Sequence, residues 1–183
     1  FRAYIEGIYN TILIKDVATR EGIADVSLLE DIIRFLSSSV GSPISAKRIS
    51  DAINASGRSV SVNTVDKYLK ALTESYIFYK AERFDVKGRN LLKTLSKYYI
   101  VDTGLRNFLL SNASPDLGHQ IENIVYFELL RRNYKVNVGK VDDKEVDFVA
   151  SDGNQLVYFQ VATTVLSEET LSRELHPFRA IPD

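Results

Sequence analysis

The 183-residue chain contains no cysteine, no methionine and no tryptophan, and only two histidines. Without cysteine it has no disulfide, no zinc–thiolate site and no cysteine nucleophile, which fits a reducing, cytoplasmic location. The two histidines, His119 and His176, leave little room for a zinc site or a Ser/His/Asp triad. These absences exclude or disfavour several classes of enzyme and predict a cytoplasmic protein.

The sequence also lacks a long apolar run and a phosphate-binding loop. No stretch reaches about 18 consecutive apolar residues, so we expect no membrane association. No segment follows the G-x-x-x-x-G-K-[ST] pattern, so this chain alone is not expected to bind or hydrolyse ATP. It starts at FRAYIEGIYN, without a methionine or a cleavable signal, which suggests a piece of a longer protein.

The net charge of −1 hides an uneven distribution of charge along the chain. Residues 25–97 carry 12 basic and 8 acidic side chains, whereas residues 98–183 carry 8 basic and 13 acidic ones. A modestly basic middle beside an acidic end suggests different partners for the two regions, although neither imbalance by itself establishes nucleic-acid binding.

Apolar residues at helical spacing predict two amphipathic helices in the first part of the chain. The first covers residues 3–18, ends near Gly22 and must dock its apolar face onto another element. The second covers residues 27–39, with Ser27 as N-cap and Glu30 completing a capping box. Its predicted buried face consists of Leu28, Leu29, Ile32, Ile33 and Leu36.

Two shorter helices follow, over residues 45–54 and 63–75, with Ser45 and Ser61 as expected N-caps. A tight turn at residues 55–58 joins them, which is the pattern of a helix-turn-helix. The second helix is expected to bury Val62, Val65, Leu69 and Leu72. Its expected outer face consists of Asn63, Thr64, Lys67, Tyr68 and Lys70.

Strand-like segments at residues 77–83 and 97–101, with a turn at residues 85–90, predict a hairpin that would serve as the wing of a winged helix. Basic residues in this hairpin, including Lys93, are suited to phosphate contacts. The residues predicted to contact double-stranded DNA are Arg58, Asn63, Thr64, Lys67, Lys87 and Arg89. Because many winged-helix modules contact only proteins, a protein-binding role remains equally open.

The last part of the chain alternates helices and strands, which predicts an α/β domain. A short helix at residues 105–110 is followed by a loop of turn-forming residues at 111–117, where we place the domain boundary. The expected elements are a helix over 118–132, strands over 134–138, 144–150 and 156–163, and a helix over 165–175 with Ser167 as its cap. The expected domains are a docking helix at 1–24, a winged helix-turn-helix domain at 25–112 and an incomplete α/β domain at 113–183.

A helix carboxylate and a strand carboxylate mark the candidate site. Strand alternation places Glu145, Asp147 and Val149 on one face, and Tyr158, Gln160 and Ala162 on one face of the next strand. On the helix, Glu122 and Glu128 are alternative carboxylates. The candidate catalytic residues are Glu122, Asp147 and Gln160, with Asp147 and Glu122 as ligands for a hard cation. The alternative without a function is that Asp147 and Glu122 are a polar pair that only satisfies hydrogen bonds at the strand edge or the helix end.

Residues 118–163 resemble the core of the PD-(D/E)xK nuclease superfamily. This resemblance implies a restriction-endonuclease-like fold and Mg²⁺ if the site functions. The family pattern, however, expects a lysine where this chain has Ala162, and a methyl group cannot assist a hydroxide nucleophile. Lys140 or Lys144 would have to replace it spatially. We therefore expect no hydrolytic activity, with an active Mg²⁺-dependent nuclease as the alternative.

The whole chain resembles the C-terminal region of prokaryotic AAA-type ATPases, whose second half is an uncharacterised domain. The resemblance rests on YNTILIKDV, SVNTVDKYLKALTESYIFYKAERFDVKG, KYYIVDTGLRN, GHQIENIVYFELLRRNY, EVDFVA and YFQVA. It implies a fragment truncated at both ends, and an N-terminal ATPase domain outside the chain as partner and as the only binder of ATP. The expected function is a DNA-interacting or regulatory module. A protein-interaction or homo-oligomerisation module remains the further alternative.

Overall fold

The computed structural model describes residues 2–110 and 116–181, which form a mixed α+β structure with one five-stranded sheet. The helices are Arg2–Ile8 (α1), Val17–Glu21 (α2), Val26–Ser38 (α3), Ala46–Ala55 (α4), Val62–Glu74 (α5), Thr103–Leu110 (α6), Leu117–Arg131 (α7) and Glu168–Leu175 (α8). The strands are Phe78–Asp85 (β1), Asn90–Ile100 (β2), Lys135–Val141 (β3), Lys144–Ser151 (β4) and Leu156–Phe159 (β5).

The N-terminal helix is continuous from α1 to α2, because a π-helical segment, Tyr9–Asp16, joins the two. Gly22 ends it in the left-handed conformation, with φ of 61°, as predicted. Ile5, Tyr9 and Val17 are buried in the main apolar cluster. The helix therefore docks an apolar face onto the rest of the chain, as predicted, and Tyr9 contributes to that face.

The apolar residues predicted for α3 are all buried, but the predicted cap is wrong. Asp25, not Ser27, is the N-cap, and its carboxylate accepts a hydrogen bond from the Leu28 backbone N–H at 2.9 Å. The helix begins one residue before Ser27, so Ser27 lies inside the first turn and is exposed. An aspartate is as good a cap as a serine and also favours the positive end of the helix dipole.

The caps of α4 and α5 agree with the prediction, since the Ser45 and Ser61 hydroxyls accept from the Arg48 and Thr64 backbone N–H groups. The predicted faces of α5 need a correction at two positions. Val62 is 38% exposed, because it is the first residue of the helix and has no preceding turn to pack against. Tyr68 is buried, and its hydroxyl donates to the Asp25 carbonyl.

The sheet has the strand order β2-β1-β3-β4-β5. The β1–β2, β3–β4 and β4–β5 pairs are antiparallel, and β1 pairs with β3 in parallel at Arg83–Asp85. The hairpin thus forms one sheet with the strands that follow α7. The boundary predicted between residues 112 and 113 lies outside the described residues.

A bulge in β4 overturns one predicted strand face. Between Asn137 and Gly139 the register with β3 shifts, so that β4 has one residue more than its partner. Val149 therefore packs with Val146 in a small apolar cluster, whereas strict alternation places these two on opposite faces. Val149 does not share the face of Asp147.

The strand predicted at 156–163 is shorter than expected, since β5 ends at Phe159. Just beyond it, the Val161 backbone N–H donates to Asp147 Oδ2 at 2.8 Å. A side chain thus takes the donor that would have extended the strand pairing with β4, and the ladder stops. The following helix starts at Glu168, later than predicted, with Ser167 as the expected cap.

None of the helices in residues 2–110 and 116–181 is long and apolar enough to cross a membrane. This finding agrees with the absence of a long apolar run in the sequence.

The reassigned cap of α3 can be tested by two alanine substitutions. We expect Asp25→Ala to lower the free energy of unfolding by about 1 kcal/mol, because it leaves the Leu28 N–H without an acceptor. Ser27→Ala should change it by less than about 0.5 kcal/mol, since this side chain is exposed. Urea unfolding measures both, and Asp25→Asn, which keeps the cap, is the matched control. A larger loss for Ser27→Ala than for Asp25→Ala would contradict the assignment.

Candidate functional site

Glu122 enters the protein interior from α7. The buried side of this helix contains Glu122, Asn123, Tyr126 and Leu129, whereas Ile124 is 58% exposed. The buried stripe therefore runs through two polar residues, which a count of apolar residues alone misses. Asn123 explains part of this, because its side-chain amide bonds both the N–H and the carbonyl of Ile100.

The two alternative carboxylates of α7 lie in different environments. Glu128 is partly exposed and accepts hydrogen bonds from Arg131 and Arg132, which lower its pKa to about 2. Glu122 is buried and lies beside the strand carboxylates. The structure thus brings Glu122, and not Glu128, to the candidate site.

Lys97 on β2 lies at the centre of the candidate site. Its ammonium Nζ is 2.9 Å from Glu122 Oε1, 2.7 Å from Glu145 Oε1 and 3.9 Å from Asp147 Oδ1. Its side chain is only 3% exposed. We call Lys97, Glu122, Glu145 and Asp147 the Lys97 cluster. The carboxylates of Glu122 and Asp147, two of the candidate residues from the sequence, both lie beside the Lys97 ammonium.

The position of Lys97 depends on the shape of the sheet. Two strands, β1 and β3, separate β2 from β4 in the hydrogen-bonding order. Neighbouring strands are about 4.8 Å apart, so a flat sheet would keep Lys97 too far from Glu145 for an ion pair. Register shifts in both the β1–β2 and the β3–β4 pairs bend the sheet. The curvature therefore brings the edge strand towards β4.

Aromatic side chains close one side of the Lys97 cluster. The Tyr99 hydroxyl donates to Glu122 Oε1 at 2.7 Å. Its ring stacks on Tyr126, with centroids 4.2 Å apart, and lies 5.7 Å from the Phe148 ring. Burial, together with the negative charge of Glu122, holds the pKa of Tyr99 well above its usual range, so the hydroxyl remains a donor.

The charges of the Lys97 cluster are coupled. Burial disfavours the Lys97 ammonium, but the carboxylates of Glu122 and Glu145 outweigh this and raise the pKa of Lys97. Burial raises the pKa of Asp147 to about 6, against the hydrogen bond from the Val161 N–H and the charge of Lys97, which lower it. One ammonium faces three carboxylates, so a proton on Asp147 relieves part of the excess negative charge.

Gln160 contacts Asp147 through the backbone. Its side-chain oxygen accepts from the Asp147 N–H at 3.4 Å, and its amide nitrogen donates to Glu174 of α8 at 3.1 Å. Gln160 thus links β4 to α8, next to the Lys97 cluster. Gln160 and Asp147 are therefore neighbours, and their contact is between the Gln160 side chain and the Asp147 backbone.

Gly41 borders the cluster from the connection between α3 and α4. Its φ is 75°, and an added Cβ would lie 3.0 Å from the His119 ring and 3.2 Å from Glu122 Oε2. Only a residue without a side chain allows this loop to lie so close to the carboxylate.

The sequence prediction missed Lys97. The lysines considered as spatial substitutes were Lys140 and Lys144, and the Lys144 ammonium instead lies 3.0 Å from His176 Nε2. The sequence does contain a signal for this lysine, which directly precedes the apolar run of β2. Lys97 and Tyr99 are two positions apart, so strand periodicity places their side chains on the same face of the sheet. Its partners are 25 or more residues away in sequence, so no local pattern identifies them.

Metal binding was predicted for Glu122 and Asp147. Within residues 2–110 and 116–181, no group of three or more His, Cys, Asp or Glu side chains has a geometry that would hold a metal ion. The Lys97 ammonium supplies positive charge at the place where these carboxylates converge.

The predicted DNA-contacting residues on α5 border a cavity of about 360 Å³. Asn63, Thr64 and Lys67 line it together with Gly22 and Ile23 from the end of the N-terminal helix. Lys67 is exposed and forms no hydrogen bond or ion pair within the described part of the chain. The outer face of α5 is therefore accessible, and residues 22–24 flank it.

The other predicted DNA-contacting residues differ in availability. Arg58 is ion-paired with Asp31 at 2.7 Å and with Asp25 at 3.6 Å, so it fastens the α4–α5 turn to α3. Lys87 pairs with Asp142 at 2.7 Å, which joins the β1–β2 turn to the β3–β4 turn. Arg89 is exposed at the end of the β1–β2 turn.

The chain belongs to the family described as a domain of unknown function (DUF8612), which matches residues 1–116. It is 40% identical over 158 residues to an uncharacterized protein of Haemophilus influenzae, a match that covers 86% of this chain. It is 28% identical over 187 residues to an uncharacterized protein of Methanocaldococcus jannaschii, across the full chain. The chain spans 40% of the length of each relative. No solved structure matches it.

Removing the ammonium at the centre of the cluster should destabilise the protein. Lys97→Met leaves three carboxylates without their buried counter-charge, and we expect the free energy of unfolding to fall by about 3–5 kcal/mol. Urea unfolding at pH 7 measures this, with Lys135→Met on an exposed lysine as the control. Equal effects of the two substitutions would show that Lys97 does not neutralise a buried cluster.

The raised pKa of Asp147 predicts a specific dependence of stability on pH. From its usual 3.8 to about 6, the folded state binds more protons than the unfolded state at this residue. The contribution of Asp147 to the free energy of unfolding therefore falls as pH rises from 4 to 6, by up to about 3 kcal/mol. The difference between wild type and Asp147→Asn, measured by urea unfolding across this range, should show the fall.

Asp152 provides the control for this experiment. Hydrogen bonds from the backbone N–H groups of Asn154 and Gln155 lower the pKa of Asp152, so its titration lies below that window. Asp152→Asn should give a difference from wild type that is flat between pH 4 and 6. A flat difference for Asp147→Asn as well would contradict the raised pKa.

Proposed function

We propose that this chain is a DNA-interacting or regulatory module of a larger AAA-type ATPase, in which a nuclease-like fold has lost its hydrolytic activity. The observation that carries this proposal is the Lys97 ammonium, which lies between Glu122 and Glu145 and within 3.9 Å of Asp147. Its positive charge neutralises carboxylates that would otherwise attract a divalent cation.

The nuclease-like reading is supported by the arrangement of α7, β3, β4 and β5. A helix glutamate and a strand aspartate, 25 residues apart in sequence, approach the same point. This is what the resemblance to the PD-(D/E)xK superfamily implies for residues 118–163. Glu145 on β4 adds a third carboxylate to the same point.

The loss of activity is supported by two features of the site. Ala162 stands where the superfamily pattern has a lysine. Lys97 restores a lysine in space, but it is buried and forms direct ion pairs with Glu122, one of the two candidate metal ligands, and with the neighbouring Glu145. A Mg²⁺ ion needs these oxygens free, and displacing a buried ammonium would leave it unpaired.

Contact with double-stranded DNA is supported by the helices α4 and α5 and the hairpin that follows, which together fit a winged helix. Lys67 on α5, and Arg89 and Lys93 on the hairpin, are exposed and have no hydrogen bond or ion pair within the described residues. Free cations on a helix and on an adjacent hairpin are suited to phosphates on either side of a groove.

The link to an ATPase is supported by the resemblance and by length. Since the chain spans 40% of each relative, the remainder of those proteins leaves room for a nucleotide-binding domain. In this proposal ATP binds only to that domain. The present chain either responds to the nucleotide state of that domain or influences it.

A duplex-binding and cleavage assay tests the proposed function. We expect the chain to bind a fluorescent DNA duplex in a salt-dependent way and Lys67→Glu to weaken binding severalfold, because a phosphate contact becomes repulsive. Lys15→Glu, on the N-terminal helix, is the control with the same change of charge. Arg58→Glu is unsuitable, because its loss would also break the ion pairs with Asp25 and Asp31.

Two results would count against this function. Binding that does not respond to salt or to Lys67→Glu would remove the DNA contact and favour a protein-interaction or oligomerisation module. Cleavage of the duplex with Mg²⁺ or Mn²⁺ by wild type, lost in Asp147→Ala, would establish the active nuclease instead. The expected outcome of the cleavage arm is intact DNA with both proteins.

A further inference from the structure

A second cavity, of about 490 Å³, shares no described lining residue with α5 or with the Lys97 cluster. The hairpin β1–β2 contributes Phe84 and Arg89 to its lining. The hairpin β4–β5 contributes Tyr158, Asn154 and Gln155. None of the described residues that line it is acidic, although the region from residue 98 onwards is acidic as a whole. We call this cavity the hairpin cavity.

Arg89 is the charged residue of the hairpin cavity. It is exposed, and it forms no hydrogen bond or ion pair within residues 2–110 and 116–181. Its φ is 50°, in the left-handed region that non-glycine residues rarely adopt. The neighbouring Lys87 is neutralised by Asp142, so Arg89 is the cation of this turn that remains available.

The aromatic side chains of the hairpin cavity are held in place from behind. Phe84 and Tyr158 are partly buried and pack against a small cluster that includes Val86 and Val149. Their packing fixes the rings, while both still line the cavity. Rigid aromatic surfaces lose little conformational entropy when a ligand stacks on them.

Two aspartates adjacent in sequence to lining residues accept backbone hydrogen bonds within their own turns, and one of them, Asp85, accepts from the Lys87 and Gly88 N–H groups at 3.1 and 3.0 Å. Asp152, in the β4–β5 turn, accepts hydrogen bonds from the Asn154 and Gln155 backbone N–H groups at 2.9 and 3.1 Å. This leaves the side-chain amides of Asn154 and Gln155, which lie at the surface, to meet a ligand. The cavity thus offers aromatic faces, one free guanidinium and two amides.

We propose that the hairpin cavity binds unpaired nucleobases of single-stranded DNA. Bases stack on Phe84 and Tyr158, Arg89 contacts the adjacent phosphate, and the amides meet base edges. Bases inside a duplex are already stacked and do not reach such a cavity. The inference rests on the proposed contact with nucleic acid, and it adds a single-stranded site to the duplex surface on α5.

Fluorescence anisotropy with the full chain and a labelled thymidine oligonucleotide of about 12 nucleotides tests this site. We expect Tyr158→Ala to weaken binding roughly 5- to 100-fold, the range for loss of one stacked base. Tyr158→Phe keeps the ring and should retain affinity. Arg89→Asn should also weaken binding, and asparagine tolerates the left-handed backbone, so the fold is preserved. Lys15→Ala is the control for loss of one positive charge.

An abasic oligonucleotide of the same length separates stacking from charge. It should bind much more weakly than the thymidine strand, because it has phosphates but no bases. Equal affinity for the two strands, unaltered affinity in Tyr158→Ala and Arg89→Asn, or no binding by wild type would each overturn the proposal. Circular dichroism of each variant shows that a loss of affinity is not a loss of fold.

Arg89 is available to both sites, so Tyr158→Ala and Lys67→Glu are the variants that separate them. Tyr158→Ala should leave binding of the duplex unchanged, whereas Lys67→Glu should weaken duplex binding. If Lys67→Glu leaves duplex affinity unchanged while wild type still binds the thymidine strand, the proposed duplex surface on α5 is wrong. The proposed single-stranded site in the hairpin cavity then still stands.

Discussion

The arrangement of this protein depends on one buried lysine that must be neutralised. The Lys97 side chain is 3% exposed, and an unpaired ammonium in such a place would cost several kcal/mol. Its carboxylate partners come from α7 and β4, so the helix, the edge strand and the inner strand are held at one point. Tyr99 adds a hydrogen bond to the same carboxylate, and its ring packs on both neighbouring elements. The burial of Glu122 serves this requirement, since its carboxylate lies 2.9 Å from the Lys97 ammonium.

The Lys97 cluster contains one ammonium and three carboxylates, so its charges do not cancel when all four groups are ionised. Burial raises the pKa of Asp147 to about 6, and its contact with Lys97 is the longest of the three carboxylate contacts. Gln160 and Val161 bind its backbone and its carboxylate, and through Gln160 the cluster touches α8.

Local patterns in the sequence predicted the helices well, because their signals are local. The apolar stripe of α3, the caps Ser45, Ser61 and Ser167 and the stop at Gly22 each depend on a few adjacent residues. The face of α7 was not predictable in this way, since Glu122 and Asn123 are buried by partners on β2. Val149 was misplaced because a bulge breaks strict alternation. Lys97 was missed because its partners lie far away in the chain.

The parallel pairing of β1 with β3 has a consequence for how this family segment is studied. The DUF8612 match ends at residue 116, while β3 and the carboxylates that neutralise Lys97 come after it. A polypeptide ending at that point would expose the free edge of β1 to other chains, which is a template for aggregation. It would also contain Lys97 but none of the three carboxylates, Glu122, Glu145 and Asp147, that surround its ammonium. The end of the family match is therefore a poor place to truncate this protein.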